Sequence, residues 1–283
     1  MPTWRSIDTG PATGAHNMAV DEVLLEAAAT GAPPVLRLYG WRPPAVTLGY
    51  GQRAEREIDL AACRAAGVDV VRRVTGGRAV LHWNELTYSV ICHEEEEGLA
   101  GTVEESHRHI AGCLAAGMRD LGVPVELERG ARRRRRATNE SALHHPCFAS
   151  TARWEVTANG RKLIGSAQRR VRGALLQHGS VLLGPEHLGL VDLLAGPPPE
   201  AADLAASSTD LSACLGRPVS YGEVAGHVVE GFRRQLAVEL RPQPLTAEEL
   251  ARARDLERDK YGDPDFTAGP GAAGPARAAP SSP

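Results

Sequence analysis

Three β-prone segments, residues 153–158, 162–172 and 175–183, are joined by Asn159-Gly160 and by Arg172-Gly173. A two-residue hairpin needs positive φ at its central positions, which Asn and Gly adopt readily, so each junction turns the chain back on itself. The segments therefore read as an antiparallel meander, and a chain built on one cannot be an all-helical bundle.

Upstream, a strand-like start at residues 3–8 leads into a helix over 17–29, where Met18, Val20, Val23, Leu24 and Leu25 form an apolar stripe. Residues 35–39 and 45–48 read as two strands around the turn residues 41–44, which suggests a hairpin. A short helix over 58–66 ends at Gly67, a strand follows at 68–72, and strand patterning returns at 79–82 and 85–92. Residues 102–121 carry the strongest amphipathic pattern, 123–127 form another strand, and 129–146 read as a surface loop with five consecutive arginines, Arg132 to Arg136. From Ser207 onward the pattern is helical, at 221–238 and 247–260. The fold class expected is α+β.

Composition narrows the function. At 283 residues with 42% hydrophobic and 24% charged side chains the chain can bury a full core. Its net charge of −3 argues against bulk nucleic-acid binding, and no apolar run approaches the ~20 residues that span a bilayer. A start without a secretory layout makes a cytoplasmic protein the expectation. Of the 32 basic residues only Lys162 and Lys260 are lysines, so Lys162 is a candidate for chemistry that a guanidinium cannot copy.

Five cysteines with no C-x-x-C pair imply neither a disulfide framework nor a zinc site, and no metal is expected. Cys63, Cys92, Cys113 and Cys214 lie in apolar contexts and read as core residues. Cys147 differs: it follows His144-His145-Pro146 in a stretch with no periodicity. If one cysteine is a nucleophile it is this one, and its thiol needs a nearby cation or base, either Lys162 or the adjacent histidines. The loop Arg73-Val74-Thr75-Gly76-Gly77-Arg78 could cradle an anion through its N–H groups or simply turn; it lacks the ending of a P-loop.

Taken together, RRVTGGRAVLH (72–82), ELTYSV (85–90), NGRKLIGSAQ (159–168) and QHGSV (177–181), preceded by NMAVDE (17–22), resemble the lipoate–protein ligase and octanoyltransferase family. The likeness runs from about residue 17 to 194 in the family's order. It implies a biotin/lipoate-ligase-type catalytic domain: a mixed, largely antiparallel sheet with helices against it and an acyl tunnel beneath the Gly-Gly loop. The organisation expected is that domain over residues 1–195 with a helical extension to about 262, then a disordered Gly/Ala/Pro/Ser tail over 263–283.

Within the superfamily, Cys147 resembles the acyl-thioester cysteine of the octanoyl-carrier-protein transferases. The implied reaction moves octanoyl from acyl carrier protein, through a Cys147 thioester, to a lysine of an apo lipoyl domain or glycine-cleavage H protein, with no cofactor. The alternatives are an ATP-dependent lipoate–protein ligase and an octanoyl-H-protein:lipoyl-domain amidotransferase. The resemblance makes Cys147 and Lys162 catalytic, and assigns substrate binding to Arg73, Thr75, Gly76, Gly77, Arg78, Ala79, His82, Gly165, Ser166, Ala167, His178 and Gly179. Lys162 is suited to lowering the thiol pKa and to donating to the acyl carbonyl oxygen, while glycine backbone can approach an acyl chain closely.

Overall fold

The computed structural model describes residues 1–128, 153–196 and 201–270. In chain order these form β1 (Thr3–Ala12), α1 (Gly14–Ala28), β2 (Val35–Trp41), β3 (Ala45–Leu48), α2 (Ala54–Glu57), α3 (Leu60–Ala65), β4 (Asp69–Arg72), β5 (Val80–His82) and β6 (Glu85–His93). There follow α4 (Val103–Asp120), β7 (Val125–Leu127), β8 (Val156–Ala158), β9 (Arg161–Val171) and β10 (Ala174–Leu182), then a 3-10 stretch, Pro185–Leu193. The chain continues through α5 (Ala201–Ser207), α6 (Leu211–Leu215), α7 (Tyr221–Gln235), β11 (Glu239–Pro242), α8 (Ala247–Leu256), a wide helical turn, Glu257–Tyr261, and α9 (Pro264–Ala268).

Eight strands form one sheet in the order β11-β1-β2-β6-β10-β9-β8-β7, and β4-β3-β5 form a second. β1 runs parallel to both β2 and β11, and the remaining pairs of the large sheet are antiparallel, as a mixed, largely antiparallel α+β sheet requires. The meander is β8-β9-β10, and its turns have the expected backbone: φ is 51° and 70° at Asn159 and Gly160, and 52° and 77° at Arg172 and Gly173.

One face of the large sheet packs on α4 and α7. The Thr102–Glu105 capping box starts α4. The two helices approach at Gly117 and Gly231, where an added Cβ would stand 2.3 Å from the carbonyl oxygens of His227 and Cys113. The opposite face packs on α1, which α8 covers, and beside α1 lies the small sheet.

Three expectations are corrected. β2 and β3 do not form a hairpin: β2 pairs with β1 and β6 while β3 pairs with β4 and β5, so the turn between them carries the chain from one sheet to the other. The region after 195 is more than a helical extension, because β11 adds an edge strand to the large sheet. Nor does the tail begin at 263: α9 is helical, and the carbonyls of Phe266 and Thr267 accept hydrogen bonds from the buried Arg72. Among the described residues no helix is long and apolar enough to cross a membrane.

Candidate functional site

Between the large sheet and the small one lies a narrow cavity of about 410 Å³ counting its open mouth. It is lined by Met18 of α1, Tyr39 and Trp41 of β2, Thr47 of β3, Arg73, Val80 and His82, Thr87 of β6, and the Gly165–Ser166–Ala167 and His178–Gly179 pieces of β9 and β10. Strand pairing explains this meeting, since Ser166 lies opposite Gly179 and Ala167 opposite His178. A side chain at Gly179 has no room: its Cβ would stand 2.2 Å from the Gly165 carbonyl oxygen.

Polar side chains around the cavity are tied into two buried networks. In the first, the Asp21 carboxylate accepts from Arg37 Nη1 (2.6 Å), Tyr39 Oη (3.0 Å) and Ser89 Oγ, and from His178 Nδ1 (3.0 Å). Burial alone would push Asp21 up, but the Arg37 charge and His178 hold it below the ordinary carboxylate range. Burial also pushes His178 down, with the Asp21 bond only partly opposing, which favours the neutral imidazole. The network assigns its tautomer: Nδ1–H donates to Asp21, and Nε2 accepts the Thr75 hydroxyl at 2.7 Å. A carboxylate on α1 thereby reaches the Gly-Gly loop.

In the second network, Arg73 Nη1 donates to Thr47 Oγ1 and O, each at 3.0 Å, and Thr47 Oγ1 meets His82 Nε2 at 2.8 Å. His82 Nδ1 then meets Glu85 Oε1 at 2.8 Å, and Trp41 stacks on the His82 ring with centroids 4.2 Å apart. Trp41 Nε1 donates to Thr87 Oγ1. Arg73 also folds back on its own loop, bonding the carbonyls of Gly76 and Arg78, which holds Gly77 at φ +97°.

Of the residues the resemblance marked for substrate binding, Arg73, His82, Gly165, Ser166, Ala167, His178 and Gly179 therefore line the cavity. Thr75 is buried behind His178, Ala79 is buried, and Gly76, Gly77 and Arg78 belong to the loop that Arg73 braces. Met18, Tyr39, Trp41, Thr47, Val80 and Thr87 line it without having been marked. One signal was available for this side of the sheet: β2 and β6 set Arg37 and then Glu85, Thr87 and Ser89 at every second place in otherwise apolar strands.

Lys162, at the start of β9, is fully buried and is not among the lining residues. Its Nζ donates to Glu155 Oε1 at 2.5 Å. A register irregularity in the β8–β9 pair sets it opposite Thr157 rather than in step with Ile164, and its charge reaches His107, whose pKa is pushed down chiefly by burial and further by the Lys162 charge. Cys147, with His144, His145 and Arg132 to Arg136, lies outside the described residues. Cys63, Cys92 and Cys113 are buried and Cys214 partly so. Burial pushes the thiols of Cys92 and Cys113 up to about 12, and Cys63 is raised for the same first reason.

Comparison with known proteins gives a consistent result. Residues 13–233 match the lipoyl protein ligase A/B catalytic domain. An octanoyltransferase LipM of Symbiobacterium thermophilum is 46% identical over 92% of this chain and 96% of its own, and one of Moorella thermoacetica is 42% identical over 93% and 97%. Among solved structures, a bi-partite lipoate protein ligase from Thermoplasma acidophilum superposes with a TM-score of 0.79 at 23% identity, covering 95% of this chain and 97% of that one. A lipoate-protein ligase A bound with ATP gives 0.77 at 24% identity, covering 94% and 99%. These two are likenesses of fold.

Proposed function

Since this chain belongs to the lipoyl protein ligase A/B catalytic-domain family and is an octanoyltransferase of protein lipoylation, we propose that it works through an acyl-enzyme on Cys147. The Cys147 thiolate attacks the thioester carbonyl of octanoyl carrier protein; a new C–S bond forms, the carrier's C–S bond breaks, and the carrier leaves as a thiol after taking up a proton. A lysine amine of an apo lipoyl domain or glycine-cleavage H protein then attacks the Cys147 thioester. An amide forms, the thiolate departs, and the amine's proton is lost to solvent or a nearby base. The energy is stored in the donor thioester, so neither ATP nor a metal is required, and the cytoplasm is the proposed setting.

The observation that carries this reading is the cavity. Met18, Val80, the ring faces of Tyr39 and Trp41, and the bare backbone at Gly165 and Gly179 suit an uncharged alkyl chain, while its polar neighbours are already satisfied by one another. The cysteines whose thiols burial keeps protonated make poor nucleophiles, which favours Cys147. Lys162, a compact ammonium three residues before Gly165, is proposed to stabilise the thiolate and the developing oxyanion, with Glu155 holding it in place.

The purified protein, given octanoyl carrier protein and an apo lipoyl domain without ATP, is expected to yield octanoylated domain by mass spectrometry. Modification that requires free octanoate or lipoate with Mg-ATP, and does not occur from octanoyl carrier protein, would make the protein a ligase and overturn the proposal.

A further inference from the structure

Arg72 is the last residue of β4, next to the cavity residue Arg73, and only 1% of it is exposed. Among the described residues no carboxylate pairs with it. Its guanidinium instead donates to four backbone carbonyls in two directions: Nη1 to Gly49 (2.7 Å) and Tyr50 (3.0 Å), Nε to Phe266 (2.8 Å) and Nη2 to Thr267 (2.7 Å). A planar fork of fixed donors can join two backbone segments in one geometry, which an ammonium cannot.

Each side of that junction leads somewhere. On one side, Tyr50 N–H donates to the Thr75 carbonyl (2.9 Å), and Gly49 lies so close to the Gly-Gly loop that a Cβ on it would stand 2.0 Å from Gly77 O. The loop reaches the cavity through Thr75, whose hydroxyl bonds His178, and through Arg73. On the other side, α9 is anchored to the body: Phe266 packs edge-on against Tyr261 at 5.5 Å, and Tyr261 Oη donates to Glu22 of α1. Directly after α9, Gly269 has φ +94°, and a Cβ there would stand 2.3 Å from Arg72 Nη2 and 2.5 Å from Gln52 O. The chain passes over the guanidinium with no space to spare.

We propose that residues 263–270 are a positioning strap for the acyl site, acting through Arg72 and the Gly49–Tyr50 backbone to set the height of the Gly-Gly loop over the cavity. The proposal rests on the acyl-site reading of that cavity. Neither α9 nor Arg72 touches the acyl group; together they fix the wall that does. Loss of the strap changes which chain length fits, and not only how much protein is folded.

The test compares octanoyl and decanoyl transfer from their carrier proteins to one lipoyl domain, by mass spectrometry, in the full chain, a chain ending at Pro270, a chain ending at Gly262, and Gly269→Val. A reduced folded fraction lowers both rates alike, so the ratio of the two kcat/KM values reports loop position alone. Misplacing a site wall by about 1 Å can cost up to ~10²-fold in rate. The chain ending at Gly262 and Gly269→Val are therefore expected to lose at least about tenfold for octanoyl, with the octanoyl-to-decanoyl ratio shifted severalfold, while the chain ending at Pro270 keeps both values. If the chain ending at Gly262 does not fold, Gly269→Val carries the comparison. An unchanged ratio in the folded strap variants overturns the positioning role and leaves α9 a stabilising element. A full chain that transfers no octanoyl overturns the acyl-site reading itself.

Discussion

On the face of the large sheet that meets α4 and α7, β6 contributes Leu86, Tyr88, Val90 and Cys92; on the opposite face the same strand contributes Glu85, Thr87 and Ser89. All seven are buried. The first set joins a core of leucines, valines and alanines with Phe232 of α7, held by dispersion and the removal of apolar surface from water. The second set joins Asp21, Arg37, His178, Thr47 and His82, each of which is buried only because another polar group satisfies it. A protein that needed only stability would have no use for the second arrangement, because isosteric apolar residues are often as stable as a buried ion pair. The difference teaches where to look for chemistry: at the face where polar burial is tolerated to fix the geometry of a cavity.

The sharpest way to test that division is to remove Asp21. Breaking a buried, hydrogen-bonded ion pair leaves Arg37 uncompensated, so Asp21→Asn is expected to cost about 3–5 kcal/mol by denaturant unfolding. Octanoyl transfer per folded molecule should fall as well, because His178 and Thr75 lose their anchor. The variant also changes the acid limb of stability. Asp21's folded pKa lies below its unfolded value, so its contribution is complete above about pH 4 and is lost as pH falls through the folded value. His178, also lowered, acts in the same direction from about pH 6.5 downward, because charging it favours the unfolded chain. Asp21→Asn should therefore show a shallower loss of stability on acidification below pH 4; an unaltered slope would detach Asp21 from the network.

On the apolar face, Leu114→Ala is expected to cost about 2–5 kcal/mol through the cavity it leaves. Transfer per folded molecule should stay at the wild-type level, and a drop beyond the folded fraction would mean that the two faces are not separable. Lys162 is the test of a buried charge that belongs to neither set. Both Lys162→Ala and Lys162→Arg are expected to lose on the order of 10²-fold in rate, since a guanidinium keeps the charge but cannot place a point donor on a carbonyl oxygen in a narrow site. Near wild-type turnover in Lys162→Arg would reduce its role to general electrostatics. At the small end, Arg252→Ala removes an exposed pair with Glu26 and should shift stability by no more than about 1 kcal/mol, with no change in transfer.

Much of this arrangement was legible in the chain itself. The Asn-Gly and Arg-Gly turns fixed the meander because their backbone demand is local, and the 102–121 periodicity marked α4 with its cap to within a residue. What local pattern could not show was partnership. β2 and β3 are both true strands, but which sheet each joins depends on β6 and β4, far along the chain. β11 escaped because Glu239 to Pro242 is a short, exposed edge that pairs with β1, and α9 because its flanking prolines and glycines resemble a loose tail. At the site, the family motifs pointed to the Gly-Gly loop and to the β9 and β10 glycines. Trp41 read as a turn residue, and only the tertiary stack on His82 makes it part of the cavity wall.

The most direct measurement is intact-mass spectrometry of the protein after brief mixing with octanoyl carrier protein. One octanoyl adduct, removed by hydroxylamine, is expected in the wild type and in the Ser variants of Cys63, Cys92, Cys113 and Cys214, and none in Cys147→Ser. An adduct that persists in Cys147→Ser, or a wild type that transfers octanoyl without ever carrying it, would contradict the acyl-enzyme route.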